Sequence, residues 1–170
     1  MMKRVLEPEV MDDPEQVLAY AQADFEEENQ GFVDHFFTLY PDLDNQHILD
    51  LGCGPGDIPI RVVGRHSTCR VTGIDASQPM ITYAEQAVQK AGFQDRVQFL
   101  CQRFQDVTLT PPADVAMSNS LVHHLPNPLQ FWYCLKSLLK PGSRVLVMDL
   151  LRPESPEAAQ AIVDEKAANE

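Results

Sequence analysis

The sequence predicts an α/β fold built on a parallel sheet, and three observations predict it. From His47 onward, apolar runs of strand length alternate with helical periods, the pattern of a parallel sheet with right-handed crossovers. The apolar run Ile48-Leu49-Asp50-Leu51 passes directly into Gly52-Cys53-Gly54-Pro55-Gly56, a glycine-rich turn at a strand end. A second run, Val71-Thr72-Gly73-Ile74, ends in Asp75 nineteen residues after Gly56, the length of one helix and the next strand.

Taken in order, the elements begin with two helices in residues 1–45. Asp13 is the N-cap of the first, with Pro14 at the first helical position, and its apolar face holds Val17, Leu18, Ala21 and Phe25. The second carries Phe32, Val33, Phe36, Phe37 and Tyr40 and is stopped by Pro41. Five strands follow within residues 46–153, at 47–51, 71–75, 97–100, 115–118 and 144–149. A helix over 77–91 repeats Met80, Ala84, Ala87, Val88 and Ala91 before Gly92. Another over 128–139 carries Phe131, Trp132, Leu135, Leu138 and Leu139, and Lys140-Pro141-Gly142 turns the chain into the fifth strand. Residues 154–170 form an Ala/Glu-rich helical stretch.

The glycine turn invites close approach by another molecule, because glycine takes positive φ and presents bare backbone. Its spacing departs from G-x-G-x-x-G, the dinucleotide fingerprint, since the third glycine comes one residue early. Asp50 also stands two residues before the first glycine, where it would repel a pyrophosphate and attract an ammonium or sulfonium. A cationic nucleoside, S-adenosylmethionine, fits better than a dinucleotide. Asp75, at the adjacent strand end, can accept both ribose hydroxyls; the alternative is a turn acid ahead of Ser77-Gln78-Pro79.

Over about residues 47–153 the chain resembles the class I S-adenosylmethionine-dependent methyltransferases, and is most similar to small-molecule members of the quinone-biosynthesis C-methyltransferase type. The resemblance implies a Rossmann-like three-layer α/β/α sandwich with strand order 3-2-1-4-5. It implies that Gly52, Cys53 and Gly54 give backbone contacts to the methionyl part, that Asp50 holds the ammonium directly or through water, and that Asp75 binds the ribose. Ala76 and Met80 would line an adenine face. Arg103 stands where the family usually has an acid, which leaves adenine recognition to the Phe104 amide and side chain. Asn119 would face the methionyl group. The helices of residues 1–45 would cap the site, with Tyr20 and Phe25 serving either as lid or as core packing. His123 is the base candidate, against a purely structural role for both His123 and His124. The implied reaction is direct methyl transfer to a small-molecule acceptor.

The Asn/Asp-Pro-Pro-aromatic motif of base-amino methyltransferases is missing from 118–125. The family sheet adds two strands after the fifth, and the sequence to Glu170 does not supply them. The expectation is an incomplete sheet, either in a piece of a longer chain or in a protein completed by another chain, with homo-oligomerisation through the open edge of the fifth strand. A non-catalytic S-adenosylmethionine-binding module is the alternative function.

Composition narrows the rest. The net charge is −12, and residues 1–50 hold 13 of the 25 acids but only 2 of the 13 Lys and Arg. Such a surface repels phosphate backbones, so nucleic acid is not an expected partner; Glu26-Glu27-Glu28 reads as a solvated helix face. No apolar run reaches membrane-spanning length and no signal pattern opens the chain, which gives a cytoplasmic expectation. Cys53, Cys69, Cys101 and Cys134 have no metal-ligand spacing and read as buried reduced thiols.

Overall fold

A computed structural model describes residues 5–6 and 10–167, with the side chains of 165–167 left out of the account. Two helices, α1 (Pro14–Gln22) and α2 (Glu26–Leu39), precede β1 (His47–Leu51), α3 (Asp57–Arg65), β2 (Arg70–Asp75), α4 (Gln78–Ala91) and β3 (Val97–Cys101). Then come β4 (Ala113–Asn119), α5 (Leu129–Leu138), β5 (Leu139–Met148) and α6 (Pro156–Ala167). The five strands form one parallel sheet in the order β3-β2-β1-β4-β5. The strand order reverses between β1 and β4, the point at which such sheets open a crevice outside their carboxyl ends.

Layering follows from the apolar faces. Phe32 and Phe36 of α2 and Val62 of α3 pack with Val71, Val115 and Met117 on one side of the sheet. Phe104, Phe131 and Leu135 pack with Leu49, Leu51 and Ala116 on the other. β1, central and covered on both faces, is buried at all five positions, as a parallel strand between helix layers must be. Local signals fix the helix ends: the Asp13 carboxylate accepts the Glu15 and Gln16 N–H groups, Ser77 caps α4, and Gly92 ends α4 at φ 77°.

Several side chains lie elsewhere than their periodicity predicts. Leu18 is exposed and Phe25 falls outside α1, at the N-cap of α2, because the nine-residue α1 turns only Val17 fully inward. Trp132 is 49 % exposed although its neighbour Phe131 is sealed, since among the described residues nothing covers the outer side of α5 at that point. Cys101 is exposed, and only Cys53 and Cys69 are buried; all four thiols are unpaired.

β5 is the main correction. Expected over 144–149 and buried on both faces, it runs Leu139–Met148 with Leu146 alone buried, and Asp149 lies beyond it. The predicted Lys140-Pro141-Gly142 turn becomes an irregularity within the strand: Ala113 pairs with Leu139 and Val115 with Arg144, so β5 accommodates three extra residues there. Among the described residues no strand pairs with its outer edge; Leu146 packs on one face of the sheet and Val145 and Val147, partly buried, on the other.

Candidate functional site at the carboxyl end of the sheet

The turn between β1 and α3 sits at the strand-order reversal. Gly52, Gly54 and Gly56 all take positive φ, at 74°, 50° and 86°, but for different reasons. A Cβ on Gly56 would lie 2.9 Å from the Ala84 Cβ and 3.0 Å from the Phe99 ring, so that glycine lets α3 and α4 pack closely. A Cβ on Gly52 would meet Leu121 at 3.1 Å. On Gly54 its nearest neighbour is the Tyr20 ring at 3.9 Å, so this glycine alone of the three faces open space.

A cavity of about 280 Å³ opens over this turn. Gly52, Cys53, Gly54 and Asn119 line it from the sheet side, and Tyr20 and Phe25 line it from the α1–α2 joint. The two aromatic rings lie 5.0 Å apart. Asn29 and Arg61 form part of the wall through Asp57, whose Oδ2 accepts from Asn29 Nδ2 at 2.9 Å and from Arg61 Nε at 2.6 Å. Sequence reasoning did not single out these three; an acid in the first turn of the helix that follows the glycines was the available signal.

Two carboxylates mark the strand ends. Asp50 is 2 % exposed, and its Oδ2 has no hydrogen-bond partner. Burial, and then the charge of Asp75, push its pKa up to about 8. A sealed acid with an unsatisfied oxygen is costly unless a cation or donor reaches it. Asp75 is held by backbone: its Oδ2 accepts the Gly54 N–H and its Oδ1 the Ser77 N–H, both at 2.9 Å. Burial raises its pKa, opposed by those N–H bonds. Burial also raises the Tyr20 pKa, with the Asp75 charge adding to it, which places that phenol in the field of the acid. The segment before α1 is fastened across the same end, with Ser77 Oγ donating to the Met11 carbonyl at 2.6 Å.

Asp50 and Asp75 lie behind the cavity wall rather than on it, and the remaining predicted residues do not line it either. Ala76 and Met80 lie beside Asp75 at the start of α4, half-buried and buried. Arg103 is exposed. The Phe104 side chain, expected against adenine, is instead core: it meets Phe131 edge-on at 5.8 Å because the short turn Phe104–Asp106 directs it under α5. His123 lies on the short turn Val122–His124 after β4, where Asp149 binds it, a partner that sequence spacing did not suggest.

The comparisons with known proteins agree with this geometry. A family described as a methyltransferase domain matches residues 42–169. The chain is 29 % identical to a 27-O-demethylrifamycin SV methyltransferase of Amycolatopsis mediterranei, over 82 % of the chain and 51 % of that protein. It is 30 % identical to a demethylmenaquinone methyltransferase of Lactiplantibacillus plantarum, over 66 % of the chain and 48 % of that protein. The chain thus spans about half the length of these curated relatives. Among solved structures, a SAM-dependent methyltransferase from Thiobacillus denitrificans in complex with S-adenosyl-L-homocysteine superposes with a TM-score of 0.71 at 21 % identity, covering 90 % of the chain and 63 % of that one.

Proposed function

The chain belongs to the methyltransferase domain family, and on that premise we propose that it transfers a methyl group from S-adenosylmethionine to a small-molecule acceptor. The observation that carries this reading is Asp50: a sealed carboxylate with an unpartnered oxygen, two residues before a glycine turn whose open position is Gly54. Those residues fit a cationic nucleoside and disfavour a pyrophosphate, which the acid would repel. Asp50 would hold the ammonium, Gly52, Cys53 and Gly54 the methionyl backbone, and Asp75 the ribose, with Asn119 beside the methionyl group on the sheet side. When bound, the cofactor supplies an activated methyl on a sulfonium leaving group.

The chain's own part is chiefly orientation. Tyr20 and Phe25 line the cavity from the α1–α2 joint, and alignment of reactants is worth on the order of 7–11 kcal/mol in well-organised cases. We place the reaction in the cytoplasm, in keeping with four unpaired thiols and with the absence, among the described residues, of any helix long and apolar enough to cross a membrane. The edge of β5, unpaired among the described residues and beside exposed Met148, Leu150 and Leu151, supports association with a second copy.

Calorimetric titration tests the cofactor. S-adenosylhomocysteine is expected to bind and NAD is not. Asp75→Ala is expected to lose about 1.5–3 kcal/mol per hydroxyl bond while keeping its far-UV spectrum. Equal affinity in the variant removes the ribose assignment.

A further inference from the structure

We infer that Arg61 is the carboxylate-binding residue of the cavity, held for that task by Asp57 and Gln30. The inference rests on the methyl-transfer reading above and assigns the anionic part of the ligand, which that reading leaves without a partner.

Arg61 stands on the second turn of α3 and is the only cationic side chain among the described residues that line the cavity. Its guanidinium is fixed at two atoms. Nε donates to Asp57 Oδ2 at 2.6 Å, one turn back on the same helix, and Nη1 donates to Gln30 Oε1 at 3.0 Å on α2. A guanidinium presents five N–H donors in a rigid plane, and these bonds use two of them. Among the described residues Nη2 has no partner, and it is not one of the sealed polar atoms. The side chain is 24 % exposed, shielded on the wall but reachable by a ligand.

Asp57 does not exhaust the charge of Arg61. The acid is the first residue of α3, where no side chain caps the helix and the unsatisfied N–H groups favour a negative charge. Its Oδ2 also accepts from Asn29 Nδ2 at 2.9 Å. Asp57 is thus stabilised by the helix and by Asn29 as well, and its part toward Arg61 is to hold the guanidinium plane in place. The other acids of the wall, Asp24 and Glu26, lie at the α1–α2 joint and are exposed. They repel an anion, which leaves Arg61 as the favourable place for one on the wall.

The glycine turn separates two opposite charges along the chain. Asp50 precedes it with an unpartnered oxygen, and Arg61 follows it with an unpartnered nitrogen. A ligand matched to both carries an ammonium and a carboxylate, which describes the α-amino acid end of S-adenosylmethionine. An acidic acceptor is the second source of the same group.

Calorimetric titration separates the two sources. The ligands are S-adenosylhomocysteine, S-adenosyl-3-thiopropylamine, which lacks only the carboxylate, and benzoate added to the chain loaded with S-adenosylhomocysteine. They are titrated into the parent chain, Arg61→Met and Arg61→Lys, each checked for folding by its far-UV spectrum. A charge-assisted contact of this kind is worth about 10- to 100-fold in affinity. The parent is expected to prefer S-adenosylhomocysteine to the decarboxylated probe by that factor. Arg61→Met is expected to lose the preference while binding the probe within about 3-fold of the parent. Arg61→Lys keeps part of it, because the charge remains without the planar fork; if Arg61→Met does not fold, this variant decides by the same criterion. If the preference survives the substitution but benzoate binding to the loaded chain is lost, the carboxylate belongs to the acceptor and Arg61 keeps its role. Equal losses for both nucleosides, or no loss for any ligand, in a folded variant show that Arg61 only ties α3 to α2 and overturn the inference alone. A parent chain that binds neither nucleoside removes the methyl-transfer reading, and the assignment of Arg61 falls with it.

Discussion

The two sides of the sheet's midpoint are finished to different degrees. On the β1–β2 side, strands are buried on both faces, and two of the glycines are closely packed: a Cβ on Gly73 would meet Phe99 and Cys53, and one on Gly56 would meet Ala84. On the β5 side, Trp132, Tyr133, Met148, Leu150 and Leu151 are exposed, and Ile162 and Val163 of α6 are exposed as well. The contrast separates a half whose packing is internal from a half whose apolar surface awaits contact. Asp50 and Asp75 belong to the first half and the His123–Asp149 pair to the boundary of the second.

The largest expected contrast lies between adjacent residues of α5. Phe131 is fully buried against Phe104, and Trp132 is half exposed. Phe131→Ala should lose about 3–5 kcal/mol by chemical denaturation. Trp132→Ser should change monomer stability by less than about 1 kcal/mol while weakening any self-association seen by light scattering. Comparable losses at the two positions would mean that the β5 side is as closed as the other.

Next comes the contrast between glycines of one turn. Gly56→Val must displace Ala84 or Phe99 and is expected to lose about 3 kcal/mol or so, whereas Gly54→Val meets space, strains a positive φ and costs about 1–2 kcal/mol. Only Gly54→Val should stay folded yet lose S-adenosylhomocysteine binding by more than about 100-fold. A folded Gly54→Val variant with normal affinity would show that the turn is purely structural.

The smallest effect is a gain. The folded pKa of Asp50 stands near 8, above the ordinary carboxylate range. Between about pH 4 and that value the unfolded chain has released this proton while the folded chain keeps it. The group therefore lowers stability as pH rises through the interval. Asp50→Asn should raise the unfolding free energy by about 1–2 kcal/mol at pH 8, with little change at pH 4, and should weaken S-adenosylhomocysteine binding. A destabilised variant at pH 8 would show that the carboxylate has a partner within the protein itself.

Much of this was legible along the chain. The apolar run 47–51, the glycine spacing and Asp75 are local signals: strand burial, turn geometry and charge sign depend on neighbours within a few residues, so sequence alone determined the parallel α/β class, the strand that carries the turn, and the preference for a cationic nucleoside. Tyr20 and Phe25 were legible as residues, and their place on the cavity wall became visible only when α1 and α2 met. The direction of Phe104, the exposure of Trp132 and the partial burial of β5 were decided by which layers exist to cover them, a property of the assembled sheet. The same holds for Asp149. Twenty-six residues separate it from His123, and no local pattern links them; the β4–β5 register brings the two strand ends together, and only that pairing joins the histidine to a carboxylate.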